Sequence, residues 1–126
     1  MAKGDLGTVY QDGEIITRQG DVGNCMFVVQ EGKVQVLVET DGIETMLRTA
    51  GEGEFLGEMA VFDREVRSAT LRAFGEARLL TIDKKNFLKR VHKDPSLAFR
   101  LVQTMSKRVR ELGDELACLK RQAERG

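Results

Sequence analysis

Apolar positions in the first two thirds of the chain come in short runs with a period of two. Val34, Val36 and Val38 alternate with Lys33, Gln35 and Glu39, as in a strand with one face in a core. Met26–Val29 reads as another strand, with Glu31-Gly32 as a turn between the two. Asp41-Gly42 is a two-residue hairpin signal joining Val34–Thr40 to Ile43–Thr49. Ser68–Ala73 alternates again, with Ala69, Leu71 and Ala73 on one face. After a turn at Phe74-Gly75, Leu80 and Ile82 anchor a last strand. Thr8–Tyr10 and Glu14–Arg18 add two short strands, with turns at Asp12-Gly13 and Gln19-Gly20. Seven or eight short, closely spaced strands predict a sandwich or barrel.

The period changes after Ile82. Asp83 can cap a short helix over Lys84–Val91, and Asp94-Pro95 supplies an N-cap followed by proline at the first helical position. From there to about Glu124 only Gly113 interrupts the pattern. About thirty helical residues span roughly 45 Å, more than a small domain is wide. The stripe is a heptad repeat, beginning at Ala98, with Val102, Val109, Leu116 and Ala123 at a and Met105, Leu112 and Leu119 at d. Glu115 at g and Lys120 at the following e are placed to pair between chains. A homodimer through residues 98–123 is the expectation. The division that follows is a β-rich body, 1–94, carrying the short helix 84–91, and a C-terminal helix, 95–126.

Composition narrows the function. The chain has 126 residues, room for one core, and its 20 basic residues balance 20 acidic ones. With zero net charge there is no global field to gather nucleic acid or an anionic membrane, so direct contact with either is not expected. No apolar run is long enough to span a bilayer, and MAKGDLGTVYQ has no apolar signal region. Cys25 and Cys118 match no metal-ligand spacing and read as free thiols in a reducing cytoplasm, while a single histidine, His92, excludes His-rich metal centres. Neither a metal nor a cofactor is expected. No nucleophile stands beside a base, so the expectation is not an enzyme.

One stretch, residues 51–70, breaks the strand rhythm. Gly51, Gly53 and Gly57 precede residues able to form one helical turn, Glu58–Val61, and Arg67 enters the next strand. A short helix leaving a glycine-rich loop presents unpaired N–H groups and a positive dipole end to an anion. Gly57 lets backbone approach a ligand, and Arg67 can make a bidentate contact with phosphate oxygens. Glu58 would repel a phosphate but suits a sugar hydroxyl. Together they suggest a sugar phosphate, although Arg67 could equally be an ordinary surface residue of the strand.

FLGEMAVFDREVRSATLRA, residues 55–73, resembles the phosphate-binding cassette of cyclic-nucleotide-binding domains: Phe-Gly-Glu-(Leu/Met)-Ala, then Arg-(Ser/Thr/Ala)-Ala, with the glycine at 57 and the arginine at 67. GEIITRQGDVGNCMFVVQEGKVQVLV, residues 13–38, is similar to the family's opening strands, including the glycines at 20 and 32. Residues 83–112 resemble its paired B and C helices. The resemblance implies an eight-stranded antiparallel jelly-roll barrel followed by a short helix and a long C-terminal helix, and a ligand that is cAMP or cGMP. It places Gly57, Met59 and Ala60 as main-chain contacts, Glu58 on the ribose 2′-OH, Arg67 on the exocyclic phosphate oxygens, and Ser68 on the phosphate and, in some members, the purine. Candidate base contacts are Leu47, Arg48, Val109, Leu112 and Leu116. LRTAGEGEFLGE, residues 47–58, is similar to segments of cGMP-dependent kinase domains, whereas serine after the cassette arginine is similar to cAMP-binding bacterial regulators; cAMP is the preferred reading. Relatives of the catabolite-activator type continue into a helix-turn-helix, which these 126 residues do not contain. They also place small hydroxyl residues over the base where this chain has Leu112 and Gly113, so base contacts across subunits are not expected by that route. The expected function is a sensor signalling through its helix to a downstream protein. The alternatives are the sensor half of a truncated DNA-binding regulator and a structural dimerisation module without a nucleotide.

Overall fold

The computed structural model describes residues 7–58 and 66–125. It is a mainly antiparallel β structure followed by two helices. The strands are β1 (Thr8–Tyr10), β2 (Ile15–Thr17), β3 (Cys25–Thr40), β4 (Ile43–Ala50), β5 (Phe55–Leu56) and β6 (Thr70–Asp83). The helices are α1 (Lys84–Lys93) and α2 (Ser96–Arg125). The chain divides into two compact units, Met1–Leu88 and Lys89–Gly126.

In the first unit, β3 and β6 form an antiparallel spine, and every other strand leans on one of them. β1 and β2 pair with β6, while β4 and β5 pair with β3. The six described strands make one sheet with β1 and β4 at the ends of its path, in place of the closed eight-stranded roll expected from the sequence. Two of the expected reversals lower the strand count. Glu31-Gly32 and Phe74-Gly75 are bulges, and they lie opposite each other. Lys33 pairs with Phe74 and Glu31 with Arg78, so Gly32 alone faces three residues of β6. A Cβ on Gly32 would stand 2.3 Å from the Glu76 carbonyl oxygen, and its φ of 83° is one a side chain rarely tolerates. Both strands bend there and continue, so two expected pairs of strands become two long ones.

The hairpin at Asp41-Gly42 is as expected. Both residues have positive φ, 54° and 80°, the geometry of a primed turn, and Thr40 pairs with Ile43. The alternation before it needs a correction. Val34 and Val36 are buried, but Leu37 is the next buried residue and Val38 only half-buried. The register shift against β4 falls on β4, where Leu47 is skipped, while Val36 and Leu37 pair with the consecutive Leu71 and Thr70 of β6, so Leu37 is buried on the face opposite Val36. The core combines Phe27, Val29, Val34, Val36, Leu56, Leu71 and Leu79 with Ala50, Ala73 and Ala77.

Both helix starts follow the sequence. Asp83 Oδ1 accepts the Asn86 amide at 2.8 Å, and Asp94 Oδ1 accepts both the amide and the hydroxyl of Ser96. The Ser96 hydroxyl is the main reason the Asp94 carboxyl sits below its ordinary range. In the second unit, Val102, Val109, Leu112, Leu116 and Leu119 are each more than half exposed along α2.

Candidate functional site

Among the described residues Arg67 is the buried charged side chain, 7% exposed, and the chain around it is built to hold it. Its backbone is fixed first. The Arg67 amide donates to the Asp21 carbonyl at 2.7 Å, and the Gly20 amide donates to the Arg67 carbonyl at 2.9 Å. Val22 bridges Val66 alongside. The Gln19-Gly20 turn, read from sequence only as a connection, thus clips the segment that carries the arginine.

The guanidinium is then enclosed. Nη2 donates to the Cys25 carbonyl at 2.7 Å and lies 3.5 Å from its sulfur; Nη1 donates to the Gly57 carbonyl at 3.2 Å. The Phe27 ring lies beneath it, its centroid 5.3 Å from Cζ. Two glycines make the space. A Cβ on Gly23 would be 2.3 Å from Nε, and one on Gly57, whose φ is 70°, would be 2.3 Å from Nη1. No described carboxylate pairs with Arg67, and Nε has no hydrogen-bond partner. A buried cation whose described partners are carbonyls, a thiol and an aromatic ring retains the capacity to take an anion.

The structure brings together two of the sequence-predicted site residues, Gly57 and Arg67, through a direct hydrogen bond. Glu58 follows Gly57 in a half-buried turn, and Ser68 follows Arg67 and is exposed. Met59, Ala60 and the rest of the expected helical turn after Glu58 lie outside the described residues. Arg48, a candidate base contact, is engaged locally: its Nη1 is 3.2 Å from Glu54 Oε1, and Glu54 also accepts the Gly51 amide. Leu47 on β4 and Val109, Leu112 and Leu116 on α2 are exposed. Sequence reasoning missed Gly23 and Cys25. The pair of glycines at 20 and 23, three apart before a strand, was the available signal. Beside the site, burial raises the Tyr10 phenol above its ordinary value, with the Glu14 carboxylate and Cys25 adding to it. Among the described residues no cluster of three or more His, Cys, Asp or Glu could hold a metal.

The sequence and the fold both have counterparts in known proteins. Residues 8–94 match the family described as "Cyclic nucleotide-binding domain". The chain belongs to the cyclic nucleotide-binding domain family. It is 33% identical over 112 residues to the Cyclic AMP receptor protein of Thermus thermophilus, covering 88% of this chain and 52% of that protein. It is 37% identical over 79 residues to the cAMP-dependent protein kinase regulatory subunit of Schizosaccharomyces pombe, covering 63% of this chain and 18% of that one. Its fold is similar to the crystal structure of Thermus thermophilus Catabolite Activator Protein, with a TM-score of 0.82 and 31% identity over 93% of this chain and 56% of that one. The chain therefore spans about half the length of the bacterial receptor and under a fifth of the kinase subunit. The family is a ligand-binding, regulatory one, and the match covers β1 to the end of α1. Among the described residues no helix is long and apolar enough to cross a membrane.

Proposed function

We propose that this cyclic nucleotide-binding domain is a non-enzymatic sensor of cAMP, with cGMP as the weaker ligand, acting in the cytoplasm. The observation that carries the reading is the Arg67 guanidinium, buried, without a carboxylate partner among the described residues, and framed by Gly23 and Gly57. In this reading Arg67 takes the exocyclic oxygens of the cyclic phosphate, and Gly57, Met59 and Ala60 offer main-chain contacts. Glu58 accepts the ribose 2′-OH, and Ser68 adds a hydroxyl at the phosphate. The Arg48–Glu54 pair leaves Arg48 less available to a guanine O6, which supports cAMP over cGMP. Calorimetric titration tests both points. Micromolar heats with cAMP, and weaker binding of cGMP, are expected; a flat cAMP titration overturns the assignment, and tighter cGMP binding reverses the preference.

The exposed heptad seam of α2 supports a homodimer through residues 98–123, with the 95–126 helix as the transmitting element and the 1–94 body as the sensor. Val109, Leu112 and Leu116 are the apolar groups proposed to cover the base. A residue asked to serve both base and seam makes the helix a two-state element that the ligand biases. Spin labels at Glu111 and Arg121, read as interchain distances, are expected to shift on adding cAMP. Distances unchanged at saturating nucleotide would reduce the domain to a passive binder. Its output is proposed to reach a downstream protein, without contact to nucleic acid or membrane.

A further inference from the structure

We propose that Cys25 is a modification site that gates the nucleotide site: an anionic group attached to its sulfur occupies the Arg67 guanidinium and keeps the cyclic phosphate out. The proposal rests on the reading of Arg67 as the phosphate-binding group and extends it to a second, covalent input. Cys25 is a free, half-buried cysteine at the first position of β3. Its sulfur lies 3.5 Å from Arg67 Nη2, the same nitrogen that its own carbonyl holds at 2.7 Å. Arg67 is more than nine-tenths buried, has no described carboxylate partner, and its Nε is unsatisfied. A small reagent that reaches the sulfur therefore arrives beside a cation that no described carboxylate neutralises. Cys118 has no comparable setting. It is exposed on α2, where its sulfur accepts from the Gln122 side-chain amide at 3.9 Å.

The co-reactant is a low-molecular-weight disulfide that carries carboxylates. Cys25 gives its thiol proton to solvent, and its sulfur attacks one sulfur of the disulfide. A new S–S bond forms, the old one breaks, and the departing thiolate takes a proton from solvent. Cys25 is oxidised, the small disulfide is reduced, and no further oxidant is needed. The attached carboxylates are then tethered within a few bonds of Nη2. A short tether holds them at an effective concentration of roughly millimolar or more, which a free nucleotide at micromolar levels does not match. Reduction of the mixed disulfide reopens the site.

The test uses the whole chain carrying Cys118→Ser, treated with methanethiosulfonates that add a sulfonatoethyl, a methyl or a trimethylammonioethyl group to the remaining thiol. The sulfonate is expected to weaken cAMP binding about tenfold or more relative to the methyl adduct, since only it supplies a tethered anion. Dithiothreitol is expected to restore affinity, and saturating cAMP to slow the modification. Adding Cys25→Ser to the same chain should leave nucleotide binding insensitive to all of the reagents. A thiol that does not react, equal affinities for the sulfonate and methyl adducts, or modification unhindered by saturating cAMP overturns the gate. Failure of the unmodified protein to bind cAMP instead overturns the nucleotide reading, and the gate with it.

Discussion

Arg67→Ala is expected to abolish cAMP binding at concentrations that saturate the unaltered domain. Its contact with a cyclic phosphate would be bidentate, charge-assisted and desolvated. Removing one partner of such a pair costs on the order of 2–5 kcal/mol. That corresponds to about 30-fold or more in affinity, measurable by calorimetry. The same side chain serves the apo fold, because the Cys25 and Gly57 carbonyls both accept from it. Circular dichroism should accompany the titration, with a folded variant expected. The backbone bonds that fix residue 67 to Gly20 and Asp21 do not involve its side chain. A folded Arg67→Ala protein binding as tightly as the original would show that the phosphate sits elsewhere.

Leu79→Ala should produce the largest loss of stability of any single truncation in the sheet. Leu79 is fully buried and lies where three strands meet, paired with Thr8 of β1 and Val29 of β3. Removing a leucine side chain from such a site costs about 2–5 kcal/mol in transfer and cavity terms. Total stabilities run to only about 5–15 kcal/mol, so the midpoint of urea denaturation should fall clearly. A loss below about 1 kcal/mol would mean that the surrounding core closes over the cavity.

What was legible in the sequence was local. The Asp41-Gly42 hairpin, the cap at Asp83 and the Asp94-Pro95 helix start each depend on residues a few positions apart, and each is present. The glycine and arginine of the cassette were legible as a spacing, and the hydrogen bond between them is its spatial counterpart. What was not legible depends on partners far away in the chain. Gly32 looks like a turn residue in isolation; only the Glu76 carbonyl pressed against it makes it a bulge. Leu37 is buried on the face of β3 opposite Val36, which nothing in the alternation of VQVLV announces. Gly23 and Cys25 belong to the site because Arg67 folds back onto them, and no periodicity carries that information.

The facing bulges at Gly32 and Phe74-Gly75 also bear on how the chain finds its fold. β1, β2 and β5 are three, three and two residues long, too short to persist before β3 and β6 have met. Folding therefore waits on one pairing between segments distant in sequence, a slow step beside the submicrosecond growth of a helix such as α2. During that search a slip of one residue between them would turn the inward face of one strand outward. A slipped pairing would also carry Gly32 away from the Glu76 carbonyl and set a residue with a Cβ against it. The bulge thus works as a steric key: the strands close only in the register where the residue lacking a side chain meets the backbone that leaves no room for one.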